Sequence, residues 1–104
     1  MTTEVLENKE YSLKDENYYN HFEWCIIING ERSKDCIIRD DEDRYEYRLN
    51  QDFLELCDDL FGRWDKDYKI ASSPGYGRGQ NPEIRIFCHG INNDNLIMLK
   101  LRYD

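Results

Sequence analysis

The chain has 104 residues, 22 acidic and 14 basic side chains, a formal net charge of −8, and 39% apolar and 13% aromatic residues. That length fits one domain, the aromatic content argues against a disordered chain, and no apolar run approaches the ~18 residues that a membrane-spanning helix needs. The acidic N-terminus has neither the basic nor the hydrophobic region of an export signal, so the expected compartment is the cytoplasm; Cys25, Cys36, Cys57 and Cys88, with no pair at redox or zinc spacing, are expected to be reduced thiols.

Residues 1–11 read as a loose tail, and Ser12 followed by Asp15 is a weak capping pattern for a short helix near 13–20. From Phe22 the pattern changes: Phe22, Trp24, Ile26 and Ile28 share one parity, which predicts a strand over 22–29 with a fully apolar face and Ile27 on a half-covered one. A longer loop over 29–35, preferred to a tight turn at Asn29-Gly30, would pair Ile28 near Cys36 and Ile26 near Ile38. Asp40–Asp43 reads as a solvated turn, after which Tyr45, Tyr47 and Leu49 alternate inward along a strand over 44–49. The first half is thus expected to be a three-stranded antiparallel meander.

Asn50 is a good N-cap, Phe53, Leu56, Cys57, Leu60 and Phe61 recur at helical spacing, and Gly62 stands at the C-cap, which predicts a helix over 51–61. Strands are expected over 68–71, 83–88 and 96–103, with a Gly- and Pro-dense loop over 72–82 and a turn over 89–95. The order βββ-α-βββ gives an α+β fold: a single domain over 1–104 with a largely antiparallel sheet and one main helix packed on one face. Strict βαβ alternation is missing, which argues against a doubly wound nucleotide-binding sheet.

The charge is concentrated in the middle. Residues 1–39 carry a net −3, residues 40–67 a net −7 and residues 68–104 a net +2. Asp52, Glu55, Asp58 and Asp59 fall on the exposed side of the predicted helix, with no Lys or Arg inside it to pair with them. Asp58 and Asp59 oppose the helix dipole. Acids that break this local rule mark a partner site or are compensated from elsewhere; the plainer reading is a solvated face. With Asp41 and Asp43 of the turn, and Asp65 and Asp67, they would form a negative surface that imitates a row of phosphates and repels nucleic acid itself. Gly75-Tyr76-Gly77-Arg78-Gly79 lacks the following helix and the Gly-Lys-Ser/Thr ending of a phosphate loop, so it is read as a connecting loop whose Tyr76 and Arg78 are available as contact residues.

Nucleophilic chemistry finds few candidates. Cys88 and His89 point to opposite faces of one strand, and His21 and Cys25 have helical spacing in a strand pattern. No catalytic residue, metal site or cofactor is expected. In size and charge alone the chain resembles the small acidic inhibitors and immunity proteins of phage and bacteria. The function expected is that of an acidic inhibitor docking Asp41, Asp43, Asp52, Glu55, Asp58, Asp59, Tyr76 and Arg78 on a basic protein surface, such as a nuclease or CRISPR effector, with no direct contact to nucleic acid or membrane. The alternatives are a small enzyme using histidine and carboxylate chemistry, or a self-associating domain, a homodimer through the 96–103 edge.

Overall fold

A computed structural model describes residues 3–12, 14, 19–39, 47–73 and 81–103. In chain order they form β1 (Thr3–Glu7), β2 (Trp24–Ile28), β3 (Ile37–Arg39), β4 (Tyr47–Leu49), α1 (Gln51–Phe61), β5 (Tyr68–Ser73), β6 (Glu83–Cys88) and α2 (Asn93–Tyr103). The fold is α+β. Four strands make an antiparallel sheet in the order β1-β2-β6-β5, and β3 and β4 form a separate two-stranded antiparallel sheet.

The β-branched run of β2 favours an extended backbone and is flanked on both sides, by β1 and β6. Register places Ile26 opposite Val5 and Ile86, and Ile86 opposite Ile70, so one apolar row crosses all four strands. The neighbouring rows add Ile28 with Ile84, and Trp24 with Cys88 and Tyr68. These residues join Cys36, Phe53, Cys57, Leu99 and Tyr103 in one core, which puts the helices on this face of the sheet.

α1 has the bounds its sequence predicts. Asn50 Oδ1 accepts the Asp52 N–H at 2.9 Å, and Gly62 N–H returns to the Asp58 carbonyl at 3.1 Å. α2 runs antiparallel to α1. Asn95 Nδ2 donates to the Leu60 carbonyl at 2.7 Å, and one helix length away the Phe53 and Tyr103 rings meet edge to face at 5.2 Å. A 3-10 segment, Glu31–Cys36, packs beside α2; its buried Ser33 Oγ lies 2.6 Å from both the Gly30 and the Pro82 carbonyl oxygens.

Four expectations need correction. Thr3–Glu7 is no loose tail but the edge strand β1, held by its ladder to β2. The meander does not form: β2 pairs with β1 and β6, and among the described residues β3 pairs with β4 and not with β2, joining Ile37 to Leu49 and Arg39 to Tyr47. Residues 96–103, expected as a strand, belong to α2, which Asn92 caps by accepting the Asp94 N–H at 2.8 Å, with Asp94 in the first turn and Lys100 and Arg102 in the last, where each suits the dipole. Among the described residues the order is therefore ββββ-α-ββ-α, with α1 and α2 each eleven residues long. Ile27, expected on a half-covered face, is buried like Ile26 because β2 is an inner strand. Of the short helix expected near 13–20, only residues 14, 19 and 20 are described, and Tyr19–His21 is a single 3-10 turn. No described helix is long and apolar enough to cross a membrane.

Candidate functional site

α1 divides cleanly into two faces. Phe53 and Cys57 are fully buried and Leu54, Leu56, Leu60 and Phe61 pack half-buried around them, which turns Asp52, Glu55, Asp58 and Asp59 to solvent. At 3.6 residues per turn, Asp52, Glu55 and Asp59 share one stripe. Gln51 Nε2 reaches Glu55 Oε1 at 3.5 Å, and none of the three forms an ion pair with a described residue.

Asp58 stands apart from that stripe. Tyr68 Oη, at the start of β5, donates a hydrogen bond to its Oδ1, so one of the two carboxylates near the unfavourable end of the helix, Asp58 but not Asp59, is compensated by a hydroxyl. Burial, and next the bond to Asp58, push the Tyr68 phenol above the ordinary tyrosine value, which keeps the donor proton in place.

Beside this pair lies a cleft of about 380 Å³, lined by Arg48 and Leu49 of β4, Gln51, Leu54 and Asp58 of α1, and Trp64 and Tyr68. Trp64 is 46% exposed and meets the Tyr68 ring edge to face at 5.5 Å. The connection from α1 to β5 fixes it there. Gly62 takes φ of +114°, and a Cβ at that position would collide with the Asp67 carboxylate. That carboxylate accepts the Arg63 N–H at 2.8 Å, the Asp67 N–H returns to the Arg63 carbonyl at 2.8 Å, and Asp65, at φ of +72°, donates its N–H to the Tyr68 carbonyl at 2.8 Å. Lys69 Nζ closes on Asp65 at 2.9 Å. Asp65 and Asp67, expected to extend the negative surface, are thus engaged in shaping the turn that presents Trp64.

Of the residues singled out from sequence, Asp52, Glu55, Asp58 and Asp59 lie together on α1. Asp41, Asp43, Tyr76 and Arg78 lie outside the described residues. The cleft itself was not anticipated. A Trp two residues after a helix-ending glycine is the one sequence signal that could have found it.

The sulfur and imidazole groups form a different picture. All four cysteines are free and buried. Desolvation raises Cys25 to about 11 and Cys36 and Cys88 to about 12, and it raises Cys57 further, so each is a neutral thiol at pH 7. Cys88 belongs to the core, whereas the His89 ring packs on Phe22 at 4.7 Å and on His21 at 5.1 Å. His89 and Asp67 share the wall of a recess of about 250 Å³, where the Asp67 carboxylate is already taken by the Arg63 N–H. Among the described residues no three His, Cys, Asp or Glu side chains gather where a metal would sit. Compared with protein families, curated proteins and solved structures, the chain matches none.

Proposed function

We propose that this chain is a binding protein that docks the acidic face of α1 and the Trp64 cleft on a basic protein surface. The observation that carries the reading is the adjacency of the two features: carboxylates with no cationic partner among the described residues beside an aromatic side chain half-exposed over a cleft walled by Leu49 and Leu54. Interfaces concentrate their energy in Trp, Tyr and Arg anchors, and charge around them sets the encounter rate and the choice of partner. Asp52, Glu55 and Asp59 supply the steering charge, and Trp64 the anchor, with Asp41, Asp43, Tyr76 and Arg78 added from the sequence alone as further contacts.

The partner class that fits is a nucleic-acid-handling protein, a nuclease or CRISPR effector, whose binding groove is basic and fills readily with ordered negative charge. The chain then acts as an inhibitor that imitates the nucleic acid. The histidine and carboxylate enzyme has no comparable support, since His21 and His89 pack on each other and on Phe22.

Affinity capture with identification of the bound proteins tests this reading. Wild type should retain basic proteins at low salt and lose them near ~1 M salt, where charges are screened beyond about 3 Å. A variant with Asp52→Asn, Glu55→Gln and Asp59→Asn should lose them at low salt while melting within about 0.5 kcal/mol of wild type, because all three side chains are exposed. Trp64→Ala should weaken retention without changing its salt dependence. Equal retention by wild type and both variants would rule this surface out.

A further inference from the structure

α2 leaves an apolar stripe uncovered. Leu99 and Tyr103 are buried and Asn95 and Leu96 half-buried on the side turned to the core, while Ile97, Met98 and Leu101 are 54%, 46% and 69% exposed on the other. Ile97 and Leu101 lie one turn apart with Met98 beside them, and Asp94 continues the same stripe one turn earlier. The two ends of the stripe carry opposite charge. Asp94 stands at the beginning, and at the far end Arg32 Nη1 comes within 3.5 Å of the Leu101 carbonyl oxygen, with Arg102 following. Neither Asp94 nor Arg32 forms an ion pair with a described residue.

We propose that α2 is the interface of a homodimer in which two copies of this helix cross antiparallel about a two-fold axis between Ile97 and Met98. A two-fold interface uses the same patch on both copies, so the patch must complement itself. The α2 stripe does so in one direction only. Antiparallel crossing stacks Ile97 and Met98 of one copy on the same residues of the other and brings each Leu101 over the first turn of the opposing helix. Asp94 then faces Arg32 and Arg102 of the second copy, and symmetry makes the pairing twice. Parallel crossing would set acid against acid and base against base. An unrelated partner would need its own apolar stripe with the charges in reversed order, which a second copy supplies by symmetry. Three aliphatic side chains per copy make a small contact, so the dimer belongs to the weak, concentration-dependent class. The surface is separate from the acidic face of α1, and the inference stands without the proposed function.

Sedimentation equilibrium of the full chain at neutral pH tests it. The weight-average mass should rise from the 12.6 kDa of one chain toward twice that value as concentration increases. Leu101→Glu should raise the dimer dissociation constant by about tenfold or more, and Asp94→Lys alone, or Arg32→Glu with Arg102→Glu, by about fivefold each. The three charge reversals combined should return it to within about twofold of wild type, a recovery that damaged folding cannot produce. Thermal melts establish that each variant is folded. A mass of one chain up to ~500 µM, association that persists in Leu101→Glu, or charge reversals that fail to rescue one another would each overturn the proposal.

Discussion

Tyr68 and Asp58, ten residues apart, are joined by a hydrogen bond from the phenol to the carboxylate that ties the first residue of β5 to the last turn of α1. The tyrosine ring is buried and touches Phe61 at 6.0 Å and Trp64 at 5.5 Å, so one residue links helix, strand and cleft. Tyr68→Phe keeps those ring contacts and removes only the donor. The acceptor is charged but exposed, so the expected loss is about 1–2 kcal/mol, measured by urea unfolding. Asp58→Asn retains an acceptor and should lose less. If Tyr68→Phe unfolds at the wild-type midpoint, the hydroxyl is not what offsets the acid near the end of α1.

Gly62 is the second point where the cleft depends on backbone geometry. Its positive φ disfavours any side chain, and the space a Cβ would occupy is filled by the Asp67 carboxylate that receives the Arg63 N–H. Gly62→Ala is expected to cost about 1–3 kcal/mol. It should also change Trp emission, because the turn that holds Trp64 against Tyr68 must shift. Unchanged fluorescence together with unchanged stability would mean that this turn does not position Trp64.

Strand β2 gives a third measurement. Ile26 and Ile27 point to opposite faces, and both are buried, at 0% and 4% exposure. Both Ile26→Ala and Ile27→Ala should therefore destabilise within the ~2–5 kcal/mol range of such truncations, with Ile26 the larger because its row is apolar across all four strands. Ile27 sits in register between Glu4 and Arg85, so its own row is charged on both sides. A negligible loss at Ile27→Ala would restore the half-covered face that strand alternation alone suggests.

α1 was legible to the residue because its cap, apolar spacing and terminal glycine agree, each acting within one turn of the chain. β1 was not, since Thr3–Glu7 is polar and short, and its reason to be extended lies in the β2 backbone rather than in its own side chains. The meander fails for a related cause: adjacency in sequence does not imply pairing, and the inner partner of β2 is β6, far along the chain. α2 was misread because apolar residues surround it. Ile97, Met98 and Leu101 blur the 3.6-residue period that Leu96, Leu99 and Tyr103 would otherwise display. The acidic face followed directly from helical spacing. The Trp64 cleft needed three segments, β4, α1 and the 62–68 connection, brought together by tertiary structure.

The last prediction concerns alkaline pH. Burial raises Cys25 from 9.0 to about 11 and Cys36 and Cys88 from 9.0 to about 12, and it raises the Tyr68 phenol from 10.0 with help from its bond to Asp58. In the unfolded chain these groups lose their protons near their ordinary values, whereas in the fold they keep them. Above pH 9 the unfolded state thus binds fewer protons than the native state, and stability falls as pH rises. Below the unfolded values the contribution is fully present, so unfolding free energy should be flat with respect to these groups from pH 7 to near 9. It should then decline steadily toward pH 11, as followed by urea titrations at each pH. Up to about pH 10, below the folded value of Cys25, thiolate absorbance should appear together with loss of structure, not ahead of it, and iodoacetamide at pH 8 should label the native protein only as fast as it opens. Rapid labelling of Cys88 in a protein that stays folded would show the thiol to be accessible and ionisable, and would return it to the list of candidate nucleophiles.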